Sequence, residues 1–287
     1  MEDKRPMDTF CTYETAWCPG CGNFSILDCV KTALQELGKD PYQVLMVAGI
    51  GQAAKTPQYI SANAFCGLHG RSLPAAIAAK IANENLTVVV DTGDGDSYGE
   101  GGNHFIHNIR RNVDITHLVH DNQIYGLTKG QASPTSMEGL ITDVQTNGSI
   151  NTPLNPVLMA IAAGAGFVAR AFSGKREHLV SVIKQAIGYE GYAIVDILQP
   201  CVSFNKVNTF AWYNKRVYEL DGSYDPTDKL QAMQKAMEFG DRIPIGVLYQ
   251  EAKKNYHRKN SVLTEGGPLL DRDVDPDVVK KLIDEFI

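Results

Sequence analysis

The chain has no excess of basic residues and no long apolar run. Its 27 Lys and Arg are outnumbered by 33 Asp and Glu, for a formal net charge of -6. Because phosphate binding normally needs a basic face, this balance argues against nucleic acid as the main partner. No apolar run approaches the ~20 residues of a membrane span, and the N-terminal segment is too short and too polar for a signal peptide. We therefore expect a cytoplasmic protein with no membrane association.

Cysteine is also scarce, with six residues in 287. The even number would allow disulfides, but only Cys18 and Cys21, in AWCPGCGNF, lie close together in the sequence. Disulfide frameworks are typical of small secreted domains rather than of a chain this long. Reduced thiols or metal ligands are therefore expected at Cys11, Cys18, Cys21, Cys29, Cys66 and Cys201.

What the chain does contain is an alternation of short apolar runs with segments of helical period. The apolar runs lie at 42–51, 86–95, 114–122 and 192–200. The helical segments are FSILDCVKTALQEL, LPAAIAAKIANEN, GGNHFIHNIRRN, PVLMAIAAGAG and REHLVSVIKQAI. This alternation predicts an α/β fold whose doubly wound, mostly parallel sheet is covered on both faces. Ligands of such sheets bind at the carboxyl ends of the strands.

The apolar strand pattern stops near residue 200. An aromatic-rich, irregular stretch follows, and then two or three short helices are expected up to the C-terminus. This segment would be an extension wrapped over the core or over a partner, or an ordinary helical tail packed on its own sheet. We therefore divide the chain into an α/β domain at 1–205 and a C-terminal extension at 206–287.

Two polar segments, TGDGDSYGEGG and HDNQIYGLTKG, each follow a predicted strand. Their glycines would let backbone amides approach a diphosphate, and Asp94 offers a hard anionic oxygen for Mg²⁺. Asn122 and the Ile124 carbonyl offer two more, which is enough because Mg²⁺ takes further ligands from phosphate and water. Gly-Asp-Gly alone is commonly just a turn, and an EF-hand is excluded because the twelfth position from Asp94 is Phe105. The two strand ends together favour a metal–diphosphate site.

The order of several motifs makes a family resemblance specific. GDGD, followed after one helix and one strand by DNQIYGLTKGQASPTS, resembles the thiamine diphosphate motif of the 2-oxoacid:ferredoxin oxidoreductases, in the version found in their beta subunits. WCPGCGNF, GIGQAAK, GLHGR and GGNHFIHNIRRNVDIT extend the resemblance over about residues 12–205. It implies a thiamine-dependent enzyme and a sheet of the thiamine diphosphate-binding, diphosphate-domain type.

The resemblance implies roles for individual residues. Asp94, Asn122 and the Ile124 carbonyl would hold Mg²⁺ against the diphosphate. Lys55 and Lys129 match lysines near the substrate, where an ammonium could pair with the 2-oxoacid carboxylate, although either could also be a solvated surface lysine. The residues expected along the rest of the cofactor are Ile50, Gly51, Gln52, Ala53, Gly95, Asp96, Gly126 and Leu127.

Two further polar residues, His69 and Arg71 in GLHGR, are candidate site groups. The region before a helix would use the same residue types for capping, so this alternative stays open.

The reaction and its partners also follow from the resemblance. Thiamine diphosphate would act on a 2-oxoacid, electrons would pass singly through a [4Fe-4S] cluster to ferredoxin, and coenzyme A would take the acyl group. The carboxylate that forms the thiamine ylide lies on a pyrimidine-binding domain, of which this chain shows no copy. In the family that domain lies in the alpha subunit, so an obligate hetero-oligomer is expected. Among substrates, 2-oxoglutarate is slightly favoured over pyruvate or a branched-chain acid because of the two lysines.

Cys18 and Cys21 alone allow a thioredoxin-type thiol pair, half of a zinc site or half of a cluster site. No apolar strand precedes them, which argues against the first, and no second close pair exists for zinc. By the resemblance, Cys201 is the remote cluster ligand. The family's remaining thiolate is expected where this chain has Gln52.

The missing thiolate leaves several outcomes open. Cys66 is the best substitute because its loop follows the same strand, and Cys11 is a second, whereas Cys29 would be buried in a helix. Gln52 or water could instead complete three-cysteine ligation, or the cluster could be lost. The alternative functions are a thiamine-dependent decarboxylase or carboligase subunit without a cluster, and a non-catalytic Cys-x-x-Cys thiol-redox or zinc module.

Overall fold

The computed structural model describes residues 9–286, and its centre is an eight-stranded sheet. The central strands are rich in Val and Ile, which favour extended backbone and burial on both faces. The strands are β1 (Val44–Ala48), β2 (Asn63–Cys66), β3 (Thr87–Gly93), β4 (Ile115–Asp121), β5 (Ile124–Tyr125), β6 (Gln131–Ala132), β7 (Phe167–Phe172), β8 (Tyr192–Leu198), β9 (Val217–Glu219) and β10 (Ile243–Gln250).

The strand order in the sheet is β2, β1, β3, β4, β8, β7, β10, β9. Neighbours are parallel except β10, which is antiparallel to β7. The register aligns Val90 with His117 across β3 and β4. β5 and β6 form a separate hairpin beyond β4. Because parallel neighbours end at the same edge, the loops after β1, β3 and β4 come together there.

Helices cover both faces of the sheet, as predicted. Those on one face are the long helices α1 and α5, and the other face carries α2, α3, α4 and α7. Within residues 9–286, no helix is long and apolar enough to cross a bilayer. The helices are α1 (Gly22–Glu36), α2 (Ser72–Ala82), α3 (Gly102–Arg111), α4 (Pro156–Ala162), α5 (Arg176–Gly188), α6 (Phe210–Asn214), α7 (Lys229–Met237), α8 (Tyr256–Lys259), α9 (Ser261–Thr264) and α10 (Pro276–Asp284).

The helix α1 shows how the sequence determines one layer. Its buried residues Ile26, Val30, Ala33 and Leu34 recur at helical spacing, so they form one apolar face. That face packs against the sheet and α5 in the same core cluster. Burying one such Leu or Ile side chain stabilises the fold by about 1.5–3 kcal/mol.

The prediction that the strand pattern stops near residue 200 is wrong for residues 243–250. These form β10, which lies between β7 and β9. Ile243 and Ile245 are fully buried against Phe172 and Leu198. The C-terminal segment therefore completes the mostly parallel sheet, while its remaining part is helical and irregular. The division of the chain at residue 205 stays a prediction.

Candidate functional site

A cavity of about 70 Å³ opens where β3 and β4 end. It is bordered by the turn after β1, the turn after β3 and the hairpin after β4. A larger cavity, of about 710 Å³ beside Tyr189 and Lys253, contains none of the predicted site residues, so size does not identify the site. The predicted residues that line the smaller cavity are Ile50, Gly51, Gln52, Ala53, His69, Asp94, Gly95, Asp96, Asn122, Ile124, Gly126 and Leu127.

Asp94 is almost fully buried at this cavity, with 1% of its surface exposed. Its Oδ2 accepts hydrogen bonds from Ser133 Oγ at 2.5 Å and from Thr135 Oγ1 at 2.6 Å. Burial raises the pKa of Asp94, and the two hydroxyl donors partly oppose that effect. A bound cation would favour the charged carboxylate, which is a preferred ligand of Mg²⁺.

Two further buried carboxyl groups lie near Asp94. Thr135 Oγ1 also contacts Asp121 Oδ1 at 2.7 Å. Burial, together with the charges of Asp196 and Asp94, raises the pKa of Asp121 well above its usual range. Burial likewise raises the pKa of Asp196 to about 6, although the Arg170 guanidinium opposes this shift. Acidic groups therefore outnumber basic ones here, as a cation site requires.

The turn from Asn122 to Ile124 brings two predicted magnesium ligands to the same cavity. Gln123 adopts the left-handed conformation with φ 58°, which reverses the chain after β4. Asn122 Oδ1 accepts a hydrogen bond from the Ile124 amide at 3.0 Å, and Asn205 Nδ2 donates to the Asn122 carbonyl at 3.2 Å. The predicted ligands Asp94, Asn122 and Ile124 thus line one cavity.

Asp96 joins the turns after β1 and β3. Its Oδ1 accepts hydrogen bonds from the backbone amides of Ile50 at 3.1 Å and Gly70 at 2.7 Å, and contacts His69 Nδ1 at 2.6 Å. A Cβ at position 49 would lie 2.1 Å from Asp96 Oδ2, so this contact requires Gly49. The carboxylate of Asp96 is therefore used within the protein to hold the cavity walls together.

The glycine at position 95 has a packing role that its motif did not reveal. A Cβ there would lie 2.2 Å from Tyr125 Cε1, so only glycine admits the tyrosine ring. The Tyr125 hydroxyl donates to Glu100 Oε2 at 3.2 Å. Residues 95–100 form a π-helical turn, a rare conformation frequent at functional sites. Glu100 and Tyr125 therefore position the loop after β3.

A second cavity, of about 30 Å³, lies beside the first. We call it the cysteine cavity because three of the six cysteines line it. The residues that line both cavities are Gln52, Asn122 and Gly126. Those that line only the cysteine cavity include Trp17, Cys18, Cys21, Asn23, Gln199 and Cys201.

The thiol of Cys21 is partly buried at the start of α1. Gln199 Nε2 donates to Cys21 Sγ at 3.5 Å. Burial, with smaller contributions from the nearby Cys201 and Cys18 thiolates, raises the pKa of Cys21 to about 11. Across residues 9–286, no three His, Cys, Asp or Glu side chains are arranged to hold a single metal ion.

Gln52 is fixed beside this cavity by its backbone. Trp17 Nε1 donates to the Gln52 carbonyl at 2.8 Å, while the buried Gln52 Oε1 has no hydrogen-bond partner. Neither Cys66 nor Cys11, the predicted substitutes for the missing thiolate, lines the cavity, and both are exposed elsewhere. Cys66 lies on β2, outside the cavity that its loop was expected to reach. Cys29 is buried in α1, as predicted.

Three of the four predicted basic site residues lie outside the cavity of about 70 Å³, which we call the cofactor cavity because the predicted cofactor residues line it. The fourth, His69, lines this cavity. Lys55 is half-buried and Lys129 is exposed, and neither lines the cavity. The Arg71 guanidinium contacts the ring of His104 at the surface, and Arg71 occupies the position just before α2. The Arg71 side chain makes no capping hydrogen bond to α2, and the structure does not bring it to the site.

Sequence reasoning missed a buried network behind the cysteine cavity. His120 Nδ1 lies 2.8 Å from Asn23 Oδ1, and His120 Nε2 lies 2.8 Å from Asp91 Oδ1. Asn23 is 1% exposed, and its Nδ2 has no partner although Asn23 lines the cavity. The sequence signal that could have revealed Asp91 and His120 was a polar residue within an otherwise apolar strand segment. Ser133 and Thr135, in QASPTS, were likewise missed as supports of Asp94.

Comparison with known proteins agrees with this geometry. A model of the C-terminal thiamine pyrophosphate-binding domain of thiamine pyrophosphate enzymes matches residues 43–197, and a model of the C-terminal region of the pyruvate ferredoxin oxidoreductase beta subunit matches 201–265. The 2-oxoacid:ferredoxin oxidoreductase subunit beta of Saccharolobus solfataricus is 48% identical over 247 residues, 82% of this chain and 81% of the relative. The chain belongs to the 2-oxoacid:ferredoxin oxidoreductase beta-subunit family. It is therefore a subunit of a thiamine-dependent enzyme.

Two further relatives of this beta subunit are named for 2-oxoglutarate. The 2-oxoglutarate oxidoreductase subunit KorB of Mycobacterium tuberculosis is 40% identical over 232 residues, 81% of this chain and 58% of the relative. The structure of 2-oxoglutarate:ferredoxin oxidoreductase from Magnetococcus marinus, with 2-oxoglutarate, coenzyme A and succinyl-CoA bound, matches with a TM-score of 0.91 and 36% identity, covering 98% of this chain and 97% of that chain. The predicted fold class is confirmed. As a beta subunit, the chain works with other subunits.

Proposed function

We propose that this beta subunit, together with an alpha subunit, performs the coenzyme A-dependent oxidative decarboxylation of a 2-oxoacid and passes electrons through an iron–sulfur cluster to ferredoxin. The observation that carries the proposal is that Gln52, Asn122 and Gly126 line both cavities. A one-electron acceptor needs to be next to the cofactor that it oxidises, and the shared wall satisfies this need. We favour 2-oxoglutarate slightly, which the names of two relatives support.

The residues present fit Mg²⁺ and a diphosphate. We propose that Asp94, Asn122 and the Ile124 carbonyl hold the ion, because they combine one buried carboxylate with two neutral oxygens in one cavity. Ser133 and Thr135 orient the carboxylate through their hydroxyl groups. When bound, thiamine diphosphate supplies the electron sink that decarboxylation needs.

The cysteine cavity fits a cluster by the chemistry of its donors. Cys18, Cys21 and Cys201 supply three soft thiol ligands. Two amide donors also line it: Gln199 Nε2 already contacts a thiol, and Asn23 Nδ2 has no partner. Hydrogen bonds to cluster sulfur tune reduction potential, so these amides would adjust the acceptor that the proposal requires.

The cofactor cavity also suggests a partner chain. Residues 9–286 form one eight-stranded sheet with a small separate hairpin, and they include no second strand–helix domain of the same kind. We therefore propose that an alpha subunit supplies the pyrimidine-binding domain and the carboxylate that forms the thiamine ylide. Exposed apolar side chains at or next to the cavity support docking there: Ile50, Leu68 and Leu127.

We further propose that substrate binds on the partner side of this cavity. Lys129 is exposed immediately after Thr128, which lines the cavity, and Lys55 follows the cavity-lining Ala53 by two residues. Either ammonium would pair with a carboxylate of the 2-oxoacid, with His69 as a third polar group.

The test uses the chain co-expressed with its alpha subunit and purified without oxygen. We expect reduction of methyl viologen that depends on both coenzyme A and a 2-oxoacid, measured across a panel of 2-oxoacids. Asp94→Ala abolishes magnesium-dependent thiamine diphosphate binding, whereas Asp143→Ala, at an exposed acidic residue, does not. Turnover by the purified single chain would show that the proposed division of the active site is wrong.

A second candidate is a decarboxylase or carboligase subunit that uses thiamine without a cluster. Gln52 favours it, because this residue replaces the family's thiolate. Such an assembly would release carbon dioxide without reducing viologen and would contain no iron. Family membership leaves the third hypothesis, a non-catalytic thiol or zinc module, without support.

A further inference from the structure

The cysteine cavity combines three thiols with two unpaired amide oxygens, Gln52 Oε1 and Gln199 Oε1. Cys18, Cys21 and Cys201 line it together with Gln52, whose Oε1 is buried and accepts no hydrogen bond. A buried carbonyl oxygen without a partner costs about 1–3 kcal/mol, so a ligand that it could contact would remove a real penalty. Gln199 already contacts the Cys21 thiol and the Pro200 carbonyl through its Nε2, and it lines only this cavity. Gln52 is therefore the neutral group that lies between the three thiols and the cofactor cavity.

No other thiol in the described residues takes the fourth position. Cys66 is exposed on the edge strand β2, and Cys11 is exposed near the start of the described chain. Cys29 is buried in α1, where its Sγ faces the Arg176 carbonyl at 3.7 Å. None of these three lines the cysteine cavity.

Gln52 is held where it can contact a cluster. Its carbonyl accepts the Trp17 indole N–H at 2.8 Å, which ties it to the segment that carries Cys18. Its side chain lies beside Gly126, where an added Cβ would be 3.7 Å from Gln52 Cγ. Gln52 thus stands between the cysteine cavity and the cofactor cavity.

We propose that a [4Fe-4S] cluster is bound by Cys18, Cys21 and Cys201 and that its fourth iron faces Gln52 Oε1, which makes this iron exchangeable. The proposal rests on the cluster of the proposed function. A neutral amide oxygen binds iron more weakly than an anionic thiolate, which is the softer ligand. A one-electron oxidant such as ferricyanide takes one electron from the 2+ cluster and gives a 3+ cluster. Loss of the weakly held iron as Fe²⁺ then leaves a three-iron cluster of charge 1+, and Gln52 Oε1 loses its contact with iron.

The location of this iron has a chemical consequence. Gln52 lines the cofactor cavity as well, so the weakly held iron is the one that faces the bound thiamine. Without substrate, an external one-electron oxidant would remove the iron nearest to the bound thiamine. Ferrous iron and a reductant would restore it, so the enzyme would carry a reversible redox switch at the junction of its two sites.

The experiment uses the anaerobically purified alpha–beta assembly treated with one equivalent of ferricyanide. We expect the wild type to fall from about four to about three irons per beta subunit and to develop the electron paramagnetic resonance signal of an oxidised three-iron cluster. Fe²⁺ with dithionite reverses both changes. Gln52→Cys, which restores a thiolate, keeps all its iron under the same treatment.

A matched control separates this effect from a general effect of an added thiol. Gln58→Cys introduces cysteine at an exposed position of the same segment, and its cluster loses iron as the wild type does. Equal iron retention by the wild type and Gln52→Cys would overturn the proposal but leave the proposed function intact. A wild type that retains its iron until Cys66→Ala or Cys11→Ala is introduced would also overturn it. An assembly without iron would overturn both the proposal and the cluster of the proposed function.

Discussion

At the scale of the residue, the single hydroxyl proton of Thr135 determines which of two neighbouring carboxyl groups is charged. Its Oγ1 lies 2.6 Å from Asp94 Oδ2 and 2.7 Å from Asp121 Oδ1, but a hydroxyl group has one proton to donate. One of the two carboxyl groups must therefore be protonated when no cation is bound. That group is Asp121, because burial beside Asp196 and Asp94 raises its pKa well above its usual range. Asp94, with Ser133 as a second donor, is then the charged group available to a cation.

Replacing this hydroxyl tests the arrangement. Thr135→Val removes the contact to both carboxyl groups, and loss of one buried hydrogen bond costs about 1–3 kcal/mol. We expect the Kd of the assembly for thiamine diphosphate with Mg²⁺ to rise about 5- to 150-fold, measured by calorimetry. Thr227→Val, at an exposed threonine, serves as the control and leaves the Kd unchanged. An unchanged Kd in Thr135→Val would show that Asp94 needs no support from this hydroxyl.

The Cys21 thiol gives a pH prediction. Its pKa of about 11 lies above the usual range because the thiol is buried, so only about one molecule in a thousand is the thiolate at pH 8. In cluster-free protein we expect slow alkylation by iodoacetamide at pH 8 and a roughly tenfold faster reaction for each unit of pH up to 11. The exposed Cys66 is the internal reference, and mass spectrometry follows both sites. Equal rates at pH 8 would contradict the prediction.

Some site residues could be predicted from sequence, and others could not. Asp94 and Asn122 follow predicted strands at the same sheet edge, so local pattern and topology suffice to bring them together. Thr135 contacts Asp94, which lies 41 positions away in the sequence. Asn23 contacts His120, which lies 97 positions away. No local pattern carries such pairings, and only the folded chain reveals them.

At the scale of the element, β10 has a measurable stabilising effect. Ile245 is fully buried in a cluster with Phe172 and Leu198. We expect Ile245→Ala to lower the free energy of unfolding by about 2–5 kcal/mol, because it leaves a cavity between β10 and its neighbours. Leu230→Ala, at a side chain 74% exposed on α7, should stay within about 0.5 kcal/mol. Denaturant unfolding measures both, and equal values would mean that β10 contributes little to the core.

Two of the strands that sequence reasoning missed contain residues that are uncommon inside strands. β7, with sequence FVARAF, contains Arg170, whose buried guanidinium donates to the Ala236 carbonyl at 3.1 Å. β10 contains Pro244 and Gly246, which are unusual in strand interiors. The local apolar period was enough to predict β1, β3, β4, β8 and the first five helices, although three of these strands also contain a buried polar residue: Asp91, His120 and Asp196.

At the scale of the whole molecule, the apolar rim of the cofactor cavity should determine assembly. Leu68 is 77% exposed beside the cavity-lining His69. We expect Leu68→Asp to weaken binding of the alpha subunit by at least about 30-fold, since loss of a central apolar contact costs about 2 kcal/mol or more. Leu230→Asp, at a similarly exposed leucine on α7, is the control.

Two measurements decide that prediction. Analytical ultracentrifugation gives the affinity of each variant for the alpha subunit, and denaturant unfolding of the single chain shows whether folding is intact. Because Leu68 packs on little of its own chain, its unfolding free energy should change by no more than about 0.5 kcal/mol. Wild-type affinity in Leu68→Asp would place the interface elsewhere.

The position of β10 also affects how the chain is made. β7 ends at residue 172, but its antiparallel neighbour is complete only at residue 250. At about 5–20 residues per second, a ribosome needs roughly 4–15 s to supply that neighbour. Until then the outer edge of β7 has unpaired amides and carbonyls, and Phe172 lacks its cover from Ile243 and Ile245. During translation of residues 173–250, this open edge therefore exposes the nascent chain to pairing with other chains.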